Sequence, residues 1–494
     1  MTEESLQLTT FNCSGPEAHA WPNADDAAKC CNGFQRAHRI RPTDGNNARI
    51  EFYWEPIPDT TGQVAAAPGS QGTSTPLNAQ VLDGVRPTPR NEHLAFFQRL
   101  SEFTDFTDPR WHELVAGLVT LRLVDRWVVR EATERDITAR EHLEVRRAIA
   151  AVRDVRVRNV LVQLLQATRE TEADAASLSV LLLSYAGLLE QSAEWRAAID
   201  VYQTSRRHSL DADRSGLPLI YGRIGFCHRQ LGELAAAGSA YEDGRRLAEE
   251  LGLSSAALNL RNCEGVLALH RGNIPEAARI LDGVIEQAAS ADHRQVFASA
   301  SHDRGAVAIK QGEYTVAAIY FDKALRGYDD HVRKERALED LADALYLLGA
   351  HDSARDAFLI NSVAAVQADV RAHAVICLMR LAIDQGDELM FETYRNSALD
   401  LESLSSHMQA QLHRQLAIGY AAFDRQSKAR DHYRALLFIA KQNRLNEYVF
   451  DAEAGLSGRS QGPSCVVSIP LPLSLESIGA RLRAAREALA APGR

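Results

Sequence analysis

From residue 92 to about 445, apolar side chains recur at i, i+3 and i+4, the spacing that lines one face of an α-helix, and short polar breaks interrupt them at regular intervals. The pattern predicts helix after helix with almost no strand. Between 110 and 462 the only prolines are Pro218 and Pro275, each placed where a helix can begin and proline's missing N–H costs nothing. Strand signals are confined to the start of the chain. There "FQRAHRIRP" and "ARIEFYWEP" flank the turn-rich "TDGNN", as in a β-hairpin, and "NADDAAKCCN" before them reads as a short helix.

The helical pattern repeats. In "RGAVAIKQGEYTVAAIYFDKAL", residues 304–325, small residues stand at Gly305, Gly312, Ala317 and Ala324 among the larger Tyr314 and Phe321. The same grammar recurs around Ala193, Gly232, Gly272, Gly312, Gly349, Gly386 and Asp424, at successive spacings of 39, 40, 40, 37, 37 and 38. A fixed period of this size marks a stack of helical hairpins. Two antiparallel helices that approach closely need small residues at their crossing, which assigns Gly225, Gly265 and Gly305 to first helices and Ala237, Ala277, Ala317 and Ala354 to second helices. Glycine after a first helix can end it in the left-handed conformation, which suits Gly232, Gly272, Gly312 and Gly349. Large residues four places after the second-helix alanines (Tyr202, Tyr241, Leu281, Phe321, Phe358, Tyr433) are expected to project toward the next unit.

At Gly305, Gly312, Tyr314, Ala317, Phe321 and Ala324 the sequence resembles the tetratricopeptide repeat (TPR) family, and the 232 and 272 repeats match most of the same places. The likeness is best at residues 218–360. Two departures stand out: the period exceeds the family's 34 residues, and the tryptophan expected early in the first helix is absent. The resemblance implies a mainly α fold, a right-handed superhelical array of antiparallel helix pairs (a TPR-like α-solenoid), here with a small N-terminal α+β hairpin module. The expected organisation is a hairpin module over 1–55, a flexible linker over 56–91 rich in Pro, Gly, Ser and Thr, and a helical cap or degenerate repeat over 92–174. About seven repeats follow over 175–445, and a C-terminal segment with a capping helix over 446–494.

Composition narrows the class. Of 494 residues 46% are hydrophobic and 24% charged, which excludes wholesale disorder. The longest apolar run, "LSVLLLSYAGLL" at 178–189, is too short to span a bilayer, and the N-terminus has acids where a secretion signal needs basic residues, so no membrane partner and a cytoplasmic location are expected. Seven cysteines, an odd number with four of them scattered through helical sequence, suit reduced thiols rather than a disulfide framework. The net charge is −10 with basic residues interleaved among acids, so direct contact with nucleic acid, which calls for a basic stripe, is not expected.

Recognised catalytic patterns are missing: no phosphate-binding loop, no serine elbow and no His-Glu-x-x-His. No catalytic residue and no cofactor are expected. One cluster, Cys13, His19, Cys30, Cys31 and His38, offers zinc ligand types, but its spacing lacks a C-x-x-C pair, and no metal is assigned to it. In the TPR family first helices line the concave face. The resemblance then implies groove positions Arg223, Phe226, Asn262, Val266, His302, Asp303, Arg336, Asp340, Asp343, Arg380 and Arg414, with Arg336 and Arg380 expected to be exposed. Their mixed polarity suits a protein or peptide partner held through backbone-directed hydrogen bonds. The main reading is a protein-binding scaffold or adaptor. The alternatives are a peptide- or ligand-responsive bacterial regulator with a helical-repeat sensor, and an enzyme or zinc module built on the N-terminal Cys/His cluster.

Overall fold

A computed structural model describes residues 11–13, 39–42, 48–51, 93–129, 139–168, 175–209, 214–399, 401, 404–458 and 469–490. Three short strands, β1 (Phe11–Cys13), β2 (Arg39–Pro42) and β3 (Ala48–Glu51), pair antiparallel in the order β1-β3-β2, with Arg39 opposite Glu51 and Pro42 opposite Ala48. The rest of the module expected over 1–55, and the linker over 56–91, lie outside the described residues. Almost everything else described is helix, and no helix among the described residues is long and apolar enough to cross a membrane.

The chain forms two compact units, 1–240 and 241–494. The first holds α1 (Leu94–Ser101), α2 (Pro109–Val129), α3 (Ala139–Ala150), α4 (Val155–Ala167), α5 (Ala175–Gln191), α6 (Trp195–Ser209) and α7 (Leu217–Gln230). Helix α1 is pinned by charge at both ends. Before its first turn His93, with φ 69°, is wholly buried and its ring nitrogens meet Asp125 of α2 (2.9 Å) and Asp200 of α6 (3.0 Å). Near its end Arg99 grips Glu194 with two nitrogens, at 2.8 and 3.0 Å.

Helix α8 (Leu234–Glu250) carries the chain from the first unit into the second. There α9 (Ser254–His270), α10 (Ile274–Ser290), α11 (Arg294–Gln311), α12 (Tyr314–Gly327), α13 (His331–Leu348), α14 (His351–Ala364), α15 (Ala368–Asp384), α16 (Glu388–Leu399), α17 (Ser406–Ala422), α18 (Gln426–Gln442) and α19 (Asn446–Leu456) alternate as first and second helices. Each packs on its neighbour in sequence, and odd-numbered helices also touch each other. All seven turn positions expected from the repeat, Ala193, Gly232, Gly272, Gly312, Gly349, Gly386 and Asp424, have positive φ. At Gly312 the turn closes by Gly312 N–H donating to Ile309 O (3.0 Å) and Glu313 N–H to Ala308 O (2.9 Å), which satisfies carbonyls that the ending helix leaves free. Pro218 and Pro275 both stand in the first turn of a helix.

The small residues do sit at crossings: Ala237, Ala277, Ala317 and Ala354 are fully buried. The large residues divide. Leu281 and Phe321 fill the space above Gly265 and Gly305 of their own hairpins instead of reaching the next one, whereas Tyr433 lies over Gly455 of the following first helix. After α19 the chain returns, and Ile469 N–H donates to Gly349 O at 2.9 Å. The final helix, α20 (Glu476–Ala490), packs across α14 rather than following α19 in the stack. Leu475, Ile478 and Leu482 are buried there, and Arg481 and Arg486 pair with the buried Asp322 and Asp356.

Candidate functional site

Successive first helices of the second unit are joined by polar side chains, and most residues assigned to the groove from the sequence are members of these links. Asn262 of α9 donates from Nδ2 to Asp303 of α11 (2.5 Å). His302 of α11 meets Asp340 of α13 through Nε2 (2.5 Å), and its Nδ1 meets the Tyr328 hydroxyl (3.2 Å). Arg380 of α15 donates to Asp343 of α13 (3.4 Å), and the Tyr346 hydroxyl of α13 donates to Asp384 of α15 (2.6 Å). Arg414 of α17 reaches Asp451 of α19 (2.5 Å). A repeat of 37 to 40 residues returns the same helix face to the same height, so a donor in one unit meets an acceptor in the next.

The charges in this ladder are held by their surroundings. Burial lowers the affinity of His302 for a second proton, but the hydrogen bond and charge of Asp340 outweigh it, and the imidazole pKa is raised. Burial likewise opposes ionisation of Asp343, yet the bond to His373 and the charge of Arg380 keep its carboxyl below the usual range. Arg380 is not the exposed residue expected from the sequence. Its guanidinium lies 3.7 Å from the centroid of the Tyr346 ring and the side chain is about two-thirds covered. Arg336 is exposed as expected, and it pairs along its own helix with Glu339 (3.1 Å). Val266, one turn beyond Asn262, is half-buried.

Of the twelve buried side-chain polar atoms without a hydrogen-bond partner among the described residues, two belong to the groove positions expected from the sequence: Arg380 Nε, a donor, and Asn262 Oδ1, an acceptor. Buried groups of this kind are rare because each forfeits the bond it made with water, and a ligand is one way to satisfy them. The groove positions expected from the sequence do not include His373 and Cys377. These two lie on the first helix of the repeat after that of Asp343 and stand four residues apart in "HAVIC", and that spacing is the signal the sequence offers for them. As a catalytic pair they are poorly arranged. His373 Nε2 faces both Cys377 Sγ (3.3 Å) and Asp343 (3.1 Å), so the carboxylate competes for the nitrogen that would take the thiol proton, and on the ring's far side Glu339 stands 3.9 Å from Nδ1, outside hydrogen-bond distance.

In the first unit Arg223 and Phe226 belong to a separate cluster. Arg223 pairs with the buried Glu190, which also accepts from the Tyr202 hydroxyl (2.8 Å), and its guanidinium lies 5.0 Å from the Phe226 ring centroid. Trp195 meets Phe226 edge-on at 5.8 Å. Of the N-terminal zinc candidates, His19, Cys30, Cys31 and His38 lie outside the described residues, and of Cys13 only the backbone in β1 is described.

No family model and no curated protein matches the sequence. Solved structures are similar to part of the chain. The apo form of the quorum sensor NprR from B. thuringiensis is 17% identical, with a TM-score of 0.43, and the match covers 64% of this chain and 97% of that one. A Rap protein complexed with competence and sporulation factor is 13% identical (TM-score 0.38; 67% and 99% covered). The C-terminal part of a TPR repeat-containing protein from Cytophaga hutchinsonii is 14% identical (TM-score 0.32; 55% and 98% covered).

Proposed function

We propose that the protein is a peptide-responsive regulator: a right-handed superhelical array, carrying a small N-terminal hairpin module, whose first helices in the second unit receive an extended peptide. The observation that carries this reading is the pair of unmet groups in the ladder, the Arg380 Nε donor and the Asn262 Oδ1 acceptor. A peptide backbone offers both complements, a carbonyl and an N–H, at every residue. Val266, one turn from Asn262, supplies apolar surface for a side chain.

A regulator fits better than a passive scaffold because the residues that would receive the peptide already hold the helices together. Asn262–Asp303, His302–Asp340 and Arg380–Asp343 each tie one first helix to the next. A ligand that draws on these side chains competes with the ties, so its binding free energy is coupled to how the hairpins stack. Asn262 and Arg380 are the residues on which the reading depends most.

Selection of short random peptides on the full-length protein, followed by titration, tests it. Arg380→Lys keeps the charge but removes the Nε donor and the flat stacking surface, and Asn262→Leu removes the acceptor. Each is expected to weaken a selected peptide about tenfold or more, in line with the loss of one bond to a buried group. Phe438→Ala, at an exposed site on α18, is expected to leave affinity unchanged. A peptide that binds all three variants as it binds the parent sits elsewhere, and the reading fails.

A further inference from the structure

Helix α15 presents His373 and Cys377 on one face, with Nε2 and Sγ 3.3 Å apart. From α13, Asp343 brings Oδ2 to 3.1 Å from the same nitrogen and Oδ1 to 3.9 Å from the sulfur. A thiol, an imidazole and a carboxylate from two helices therefore converge, with their donor atoms all within 4.8 Å of one another.

We propose that Asp343, His373 and Cys377 bind one divalent transition-metal ion of the zinc class, which ties α13 to α15. Zinc's bond lengths, about 2.0–2.2 Å to nitrogen or oxygen and about 2.3 Å to sulfur, give its coordination tetrahedron edges of roughly 3.3–3.7 Å. His373 Nε2 lies 3.3 Å from Cys377 Sγ and 3.1 Å from Asp343 Oδ2, close to that range, and the three donor atoms all lie within 4.8 Å of one another, so the ion fits with small side-chain shifts. A sulfur and an imidazole in the set select against magnesium and calcium, which take oxygen ligands.

The surroundings suit a bound cation. Glu339 Oε1 stands 3.9 Å from His373 Nδ1, on the far side of the ring, beyond hydrogen-bond distance as it stands but placed so that a small shift would let it hold a metal-bound histidine. Arg380 engages Oδ1 of Asp343, which leaves Oδ2 for the metal. The aspartate and the thiolate together neutralise a dication, and the thiol proton and the proton on His373 Nε2 both leave to solvent on binding. Cys377 is buried and His373 nearly so, while the Asp343 side chain is 32% exposed; the ion has one side from which to enter and one position open to water.

The test uses full-length protein stripped with chelator and loaded with Co²⁺, whose thiolate charge-transfer band and strong visible bands report a tetrahedral sulfur site. One cobalt per chain with both features is expected. The features disappear in Cys377→Ser and in His373→Gln, persist when Cys13, Cys30 and Cys31 are all changed to Ser, and weaken about 10–100-fold in affinity in Glu339→Gln. Circular dichroism on each variant separates lost ligands from lost fold, and Asp343→Asn, which keeps the shape of the side chain, supplies a second variant. Failure of the folded parent to take up cobalt overturns the proposal, as does a cobalt signal that survives Cys377→Ser and vanishes with the N-terminal cysteines.

Discussion

Gly305 and Phe321 compete for one space: a Cβ added to Gly305 would lie 2.6 Å from Cε1 of the Phe321 ring, closer than two carbons can come. The ring is 2% exposed and has nowhere to move. Gly305→Ala is therefore expected to destabilise the protein by about 1–3 kcal/mol through overpacking. Gly283, inside α10, has nothing within 4 Å of the place a methyl group would take, and it gives the opposite sign. There Gly283→Ala is expected to stabilise by about 0.5–1 kcal/mol through helix propensity. Urea unfolding of the two variants separates them. If both move the midpoint the same way, the crossing is misassigned.

The repeat is legible in the sequence because it rests on local requirements. A turn that needs positive φ and a crossing that needs a small side chain leave marks at fixed spacing, and the structure places Gly312 and Ala317 accordingly. The cover over Arg380 is not legible, because it comes from Tyr346, thirty-four residues earlier in the chain, and no local pattern announces that. His373 and Cys377 escape for a related reason: the repeat motif has faded around Gly386, and with it the register that marks which face of α15 meets α13. The position of α20 is hidden too, since its partners Asp322 and Asp356 lie more than a hundred residues away.

His93 is expected to make the first unit sensitive to alkali. Burial alone would lower its pKa, but the hydrogen bonds to Asp125 and Asp200 prevail and raise it from 6.5 to about 9. The folded value lies above the unfolded one, so the stabilisation is fully present below about 6.5 and is lost as pH rises through about 9. A shift of this size corresponds to roughly 3 kcal/mol at most. Stability measured from about pH 6 to about pH 10 is expected to fall, and His93→Gln is expected to flatten the curve. An unchanged slope in that variant would assign the loss to another group.

The seat of α20 sets apolar packing against ion pairing. Leu482 is 5% exposed, and Leu482→Ala is expected to cost about 2–5 kcal/mol. Arg481 is nearly half exposed, so water screens its pair with Asp322, and Arg481→Ala is expected to cost about 1 kcal/mol or less. Chemical denaturation ranks the two. A larger loss for Arg481→Ala would mean that the buried carboxylate of Asp322, rather than the leucine cluster, governs the docking of this helix.

The central claim, that a peptide lies along the first helices of the second unit, is tested most directly by photocrosslinking. A benzoylphenylalanine replaces Val266, one turn from Asn262 on α9, and in a second protein it replaces Phe438, which is 63% exposed on the second helix α18. With a peptide selected on the full-length chain, light is expected to join the peptide to the probe at position 266 and not to the one at 438. Crosslinking at 438 alone, from a protein whose unfolding midpoint matches the parent, would contradict the account.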